Sequence, residues 1–104
     1  NRNEYKLSFL PLFEEDLNEI TGYIVNHLQN PIAALQLIDD IEAAICTRRT
    51  CPLAFAPYAS SRDRLYPYYR INVRNFSVFY VVIGDTMEVR RILYARRDLD
   101  SLLD

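Results

Sequence analysis

Apolar residues in the first half of the chain recur at intervals of three and four positions, the spacing that places side chains on one face of a helix. Phe13, Leu17, Ile20, Ile24 and Leu28 follow this spacing. The acidic residues directly after Phe13 fall in the first turn, where the helix dipole favours negative charge. The pattern therefore predicts an amphipathic first helix.

A second helix is predicted to start at Asn30 and Pro31, because asparagine is a favoured N-cap and proline is tolerated at the first helical position. Apolar residues then continue at helical spacing from Ala34 to Ile45. Few residues separate the two helices, so they are expected to form an antiparallel hairpin.

In the second half of the chain the apolar pattern changes to the two-residue period of β-strands. Residues 50–68 carry three prolines and are predicted to form a loop between the helices and the sheet. Gly84 and Asp85 suit a hairpin turn between the last two strands. The predicted strands are Tyr5–Leu10, Tyr69–Arg74, Phe76–Ile83 and Met87–Ala95.

This order of elements predicts an α+β fold of two layers, in which an N-terminal strand and a helical hairpin pack on an antiparallel β-sheet (β-α-α-β-β-β). A length of 104 residues suits one domain over residues 1–104. The sequence has no apolar run of membrane-spanning length and no signal-like start, so a cytoplasmic location is expected.

The second predicted strand brings charged side chains to one face of the sheet. Strict alternation places Arg70 and Arg74 on the same face, where they are the best pair for binding an anion jointly. A cross-strand ion pair with Glu88 is the alternative role for these arginines.

Charge is distributed unevenly along the chain. Residues 1–45 contain eight acidic residues against Arg2 and Lys6, whereas residues 46–97 contain ten arginines against three acidic residues. This segregation suggests that the sheet meets an anionic partner, although acids that only coat the helices and arginines that only coat the sheet would give the same counts.

The sequence gives no indication of metal or cofactor chemistry. His27 is the only histidine, and no metal-ligand spacing links it to Cys46 or Cys51. Two cysteines in a chain of this size do not make a disulfide framework, so unpaired thiols are the favoured interpretation, and a bridge between them is the alternative that their spacing leaves open. No cofactor and no metal site are predicted.

Several segments, taken in order, resemble the RelE/ParE toxins of bacterial type II toxin-antitoxin modules, also labelled plasmid stabilisation proteins. The likeness runs over about residues 4–103. The segments are YKLSFLPLFEEDLNEITGYI, the helix pair joined near NP, YRINVRNFSVFYVV and the closing ILYARRDLDSLL. The resemblance implies a RelE/ParE-like fold and a cognate antitoxin as partner.

Two activities are found among toxins of this kind, and the resemblance leaves both open. RelE-like members cut mRNA on the ribosome without a metal, which would make Arg74, Arg97 and Tyr94 the catalytic residues. ParE-like members act on DNA gyrase. For either target, the resemblance and the charge pattern nominate Arg70, Arg74, Arg96 and Arg97 as binding residues.

Departures from the nuclease pattern favour the ParE-like action. Phe76 and Ser77 stand where many members carry tyrosine and arginine, and Leu102 and Leu103 occupy the stretch of the RelE-like C-terminal tyrosine. We therefore expect growth inhibition through DNA gyrase. The alternatives are a RelE-like ribosome-dependent mRNA endoribonuclease and a non-toxic anion- or peptide-binding module on the same fold.

Overall fold

The computed structural model describes residues 4–59, 64–95 and 102–103. The elements follow the predicted order of one strand, two helices and three strands. They are β1 (Lys6–Phe9), α1 (Pro11–Asn26), α2 (Pro31–Arg48), β2 (Tyr69–Val73), β3 (Phe76–Ile83) and β4 (Thr86–Tyr94). Arg96 and Arg97 lie outside the described residues, and so do residues 98–101 of the closing segment.

Both helices begin at a proline, and the start of α2 is the predicted one. Pro11 is the first residue of α1, and Pro31 is the first residue of α2. The Asn30 side chain accepts a hydrogen bond of 3.1 Å from the backbone N–H of Ala33, which satisfies one of the N–H groups left unpaired at a helix start. The predicted N-cap is thus confirmed.

The four strands form one sheet in the order β1-β4-β3-β2. Two-residue turns join β2 to β3 and β3 to β4, and these pairs are antiparallel as predicted. The β1 strand instead lies parallel to β4, so the sheet is mixed, whereas an antiparallel sheet was expected. Apolar alternation fixes which face of a strand is buried but not the direction of its neighbour, so the sequence pattern could not show this.

One core lies between the helical hairpin and the sheet. Side chains from α1 and α2 meet those from the facing side of the strands, and Leu37, Ile41 and Ile45 of α2 are almost fully buried. The strand residues of this core include Tyr69, Ile71, Val73, Val78, Tyr80, Met87, Val89 and Ile92. Burial of this apolar area stabilises the two-layer arrangement.

The face of the sheet turned away from the helices, here called the distal face, holds a second and smaller core. Phe79, Val81 and Leu93 form it with Tyr68 and with Leu103 from the end of the chain. Residues of β3 are therefore buried on both sides, as the nearly continuous apolar run of this strand predicts.

Candidate functional site

Aromatic rings on the distal face provide a platform for arginine side chains. Tyr58 and Tyr68 both meet the Phe79 ring edge to face, with centroid separations of 5.3 and 6.1 Å. Such edge-to-face contacts are a favoured arrangement of aromatic rings. The platform fixes the loop before β2 against the sheet.

Arg70 of β2 lies on this platform in a defined orientation. Its Nε–H is shared between Oδ1 of Asn72 at 2.9 Å and Oγ of Ser77 at 2.8 Å. The Ser77 hydroxyl donates to the same Asn72 oxygen at 3.0 Å, and Ser77 is fully buried. The guanidinium carbon lies 5.6 Å from the centroid of Tyr58, within cation–π range.

This geometry leaves the fork of Arg70 available to an anion. Within the described ranges only Nε of its guanidinium is hydrogen-bonded, so its two terminal amino groups have no bonded partner there. A planar guanidinium group, here called the fork, that is held by its Nε can bind a carboxylate or phosphate through two hydrogen bonds. Of the predicted binding residues that the structure describes, Arg70 is therefore the better placed to bind an anion.

Two further arginines stand over Tyr68 on the same platform. The guanidinium carbons of Arg64 and Arg90 lie 4.9 and 5.8 Å from its ring centroid. Arg90 also donates to Glu88 at 2.7 Å, so the carboxylate that could have paired with Arg70 pairs with Arg90 instead. Burial lowers the pKa of Arg90, but hydrogen bonds to Glu88 and Tyr68 outweigh it and leave the pKa raised.

The prediction that Arg70 and Arg74 share a face is wrong. Arg74 is the first residue of the turn between β2 and β3 and has a φ of 55°, so strand alternation ends at Val73. Its Nε lies 2.6 Å from Oδ2 of Asp40 on α2. Arg74 thus belongs to the helix layer, whereas Arg70 belongs to the distal face.

Tyr94 is also separated from Arg70. Its ring packs edge to face on Phe76, which contacts the core under the helices. Together with Asp16 and Glu19 it lines a cleft of about 320 Å³ between α1 and β4. Among the described residues, therefore, the predicted catalytic residues Arg74 and Tyr94 lie on the helix side of the sheet, and the predicted binding residue Arg70 lies on the opposite face.

A residue that the sequence did not single out fixes the edge of this site. Arg48, near the end of α2, donates to the Tyr80 hydroxyl at 3.0 Å and stacks on the Phe55 ring at 3.6 Å. The Tyr80 hydroxyl in turn donates to the Pro52 carbonyl at 2.7 Å. Burial raises the pKa of Tyr80, and the Arg48 hydrogen bond opposes that rise in part. Helix position alone gives no signal for this role.

The described part of the chain contains no cluster of His, Cys, Asp or Glu side chains that could hold a metal ion. Both cysteines are free thiols at the surface. Neither α1 nor α2, the helices of the described ranges, is long and apolar enough to cross a membrane.

Comparisons with known proteins place this geometry in context. The sequence profile described as the ParE toxin of type II toxin-antitoxin system, parDE, matches residues 7–99. A search of curated proteins found no match. The solved chromosomal ParDE TA system from P. aeruginosa is similar, with a TM-score of 0.72 and 20% identity over 90% of this chain and 99% of that chain. The RelB-RelE antitoxin-toxin complex from Methanococcus jannaschii aligns with a TM-score of 0.47 and 23% identity over 92% of this chain and 99% of that chain.

The similarity to the ParDE structure confirms the predicted fold, one strand and two helices followed by three strands. The profile match extends from β1 to beyond β4 and so includes every element of the two layers. The chain therefore belongs to the ParE toxin family of type II toxin-antitoxin systems.

Proposed function

We propose that this toxin inhibits bacterial growth by binding DNA gyrase through its distal face, and that it has no nuclease activity. The separation of Arg70, a predicted binding residue, from the predicted catalytic residues Arg74 and Tyr94 supports this proposal. Arg74 is ion-paired to Asp40 beside the helices, and Tyr94 packs on Phe76 on the same side, while Arg70 lies on the opposite face. Cleavage of RNA requires acid, base and charge stabilisation at a single phosphate.

The surroundings of Arg70 suit a protein target. Phe55 in the loop before β2 is about half exposed, at 48%, and lies under Arg48, which also bonds the carbonyl of Arg70. Exposed apolar side chains beside an ordered arginine are typical of protein interfaces, where arginine and aromatic residues contribute most of the binding energy. An acidic side chain of gyrase is the expected ligand of the Arg70 fork.

The proposal is tested with purified protein in a gyrase supercoiling assay. We expect the wild-type chain to inhibit supercoiling, and Arg70→Ala to raise the half-inhibitory concentration at least tenfold, a loss of about 1.4 kcal/mol. Arg70→Lys should lose most of the same inhibition, because lysine keeps the charge but not the planar fork. The Ser77 hydroxyl keeps its bond to Asn72 in both variants, so the fold should be retained.

Arg74→Ala is the matched control, since it removes an arginine from the helix layer. Its half-inhibitory concentration should stay within about twofold of the wild type, because Arg74 lies off the proposed binding face. The loss of its exposed ion pair should lower the free energy of unfolding by only about 0–1 kcal/mol. Messages from a translating extract are examined in parallel by primer extension. Codon-linked cuts that vanish in Arg74→Ala, together with undisturbed supercoiling, would replace this proposal with the RelE-like activity.

A further inference from the structure

Three arginines on or beside the sheet are each bound by a carboxylate. Arg74, Arg90 and Arg91 contact Asp40, Glu88 and Asp16 at 2.6, 2.7 and 2.7 Å. Such ion pairs compensate the guanidinium charge at short range. The next paragraphs of contacts around β2 differ, because the arginine of that strand makes no ion pair with any residue in 4–59, 64–95 or 102–103.

Neutral oxygen atoms hold Arg70 in place of a carboxylate. Its Nε–H donates to Oδ1 of Asn72 at 2.9 Å and to Oγ of Ser77 at 2.8 Å. The Ser77 hydroxyl donates to the same Asn72 oxygen at 3.0 Å, so the three atoms form a closed triangle. A guanidinium N–H can only donate, and it therefore fixes the direction of the serine hydroxyl and the orientation of the asparagine amide.

The hydroxyl of Ser77 is used for this contact alone within the described ranges. Ser77 lies opposite Asn72 in the β2–β3 ladder and is 0% exposed, in a strand whose other residues are all apolar. A buried hydroxyl is unfavourable unless it is hydrogen-bonded, and both of its bonds go to the Arg70–Asn72 pair. An apolar residue here would avoid that requirement, so the serine serves to orient Arg70.

Two aromatic rings complete the surroundings of this guanidinium. Its carbon lies 5.6 Å from the ring centroid of Tyr58 and 5.9 Å from that of Phe79. Ring faces at such distances attract a cation without compensating its charge as a carboxylate would. The fork of Arg70 is therefore held at its Nε and keeps its positive charge available.

We propose that Asn72 and Ser77 are positioning residues that make Arg70 a receptor for a carboxylate, because they fix its guanidinium without neutralising it. A carboxylate is planar and can accept two parallel N–H bonds from the terminal amino groups of the fork. An aspartate in place of Asn72 would hold Nε equally well but would itself compensate the charge. The inference rests on the proposed function of the distal face, where the carboxylate is an aspartate or glutamate side chain of the target protein.

Asn72→Asp separates the holding of Arg70 from its charge. The purified toxin is titrated with sodium acetate, at an ionic strength kept constant with sodium chloride, and the Arg70 Nε–H resonance is followed by NMR. We expect the dissociation constant for acetate to rise at least about fivefold in Asn72→Asp, because the new carboxylate competes for the fork. A merely structural role of Asn72 predicts no such loss, since the oxygen that accepts from Nε is retained.

Asn18→Asp is the matched control, because it adds the same charge at an exposed position of α1. Its dissociation constant for acetate should stay within about twofold of the wild type, since screening by salt weakens the effect of a distant surface charge. Asn72 is itself exposed, so its replacement by aspartate leaves the core unchanged.

Ser77→Ala tests the holding contact directly. The variant removes one of the two acceptors of the Arg70 Nε–H, so hydrogen exchange of that group should become at least about threefold faster. In Asn72→Asp the same exchange should be as slow as in the wild type or slower, because a charged acceptor forms the stronger hydrogen bond.

Three results would overturn the inference. They are a wild-type Arg70 signal that responds to acetate no more than to chloride, an unchanged acetate affinity in Asn72→Asp, and an unchanged Nε–H exchange rate in Ser77→Ala. Acetate binding is measured on the toxin alone. A failure of gyrase inhibition would therefore contradict the proposed target and leave the carboxylate site intact.

Discussion

Tyr80 is the residue that most directly ties the loop before β2 to the sheet. Its hydroxyl donates to Pro52 and accepts from Arg48, and the residue is fully buried. Tyr80→Phe would leave the Pro52 carbonyl without its donor, so we expect the free energy of unfolding to fall by about 1–3 kcal/mol at pH 7. Tyr23→Phe, at a tyrosine that is 55% exposed, should change it by less than about 0.5 kcal/mol.

The same variant tests the pH dependence of stability. Burial raises the pKa of Tyr80 in the folded state, so the unfolded chain loses this proton first as pH rises. The contribution of Tyr80 is therefore complete below the unfolded pKa of about 10 and declines above it. Urea unfolding at pH 7 and at pH 10.5 should show a smaller gap between wild type and Tyr80→Phe at the higher pH. An unchanged gap would contradict the role of burial.

For single residues, the sequence nominated Arg70 for the site but did not predict which side chains surround it. Strand alternation correctly separated Arg70 from the apolar residues of β2. It failed at Arg74, because a non-glycine residue with a φ of 55° gives no signal in the sequence that the turn has begun. The contact of Arg48 with Tyr80 depends on how α2 meets the sheet, which local periodicity does not determine.

Among the elements, α1 and β4 are joined by one buried ion pair. Asp16 contacts Arg91 through both carboxylate oxygens, at 2.7 and 2.9 Å, and also accepts the N–H of Ile92. The two side chains are only 12% and 17% exposed. Asp16→Ala removes two charge-assisted hydrogen bonds from Arg91 and the acceptor of the Ile92 N–H, so we expect the free energy of unfolding to fall by about 1.5–3 kcal/mol.

Asp40→Ala is the matched comparison, because Asp40 and Arg74 form an ion pair of similar length with nearly half of each side chain exposed. Such an exposed pair contributes about 0–1 kcal/mol to the free energy of unfolding. Chemical unfolding of the two variants under one set of conditions measures both values. Similar losses would mean that burial does not control the strength of these pairs in this protein.

Element existence and order were predictable from the sequence, and element contacts were less so. The N-cap at Asn30, the short turns and the two apolar periods each have a local physical cause. The parallel pairing of β1 with β4 joins residues about eighty positions apart along the chain and leaves no mark on the pattern of either strand. Likewise, the sequence indicates only that Asp16 is an acid in a first helical turn, because its contact with β4 depends on the fold.

In the whole molecule, the acidic and basic residues that are separated along the sequence lie on two different surfaces. The helix layer carries exposed acids such as Glu15, Glu19 and Asp39, and the distal face carries Arg64, Arg70 and Arg90. A protein with such separated surfaces can bind partners of opposite charge on its two layers. The counts along the sequence indicated this separation, while the fold shows which elements bear it.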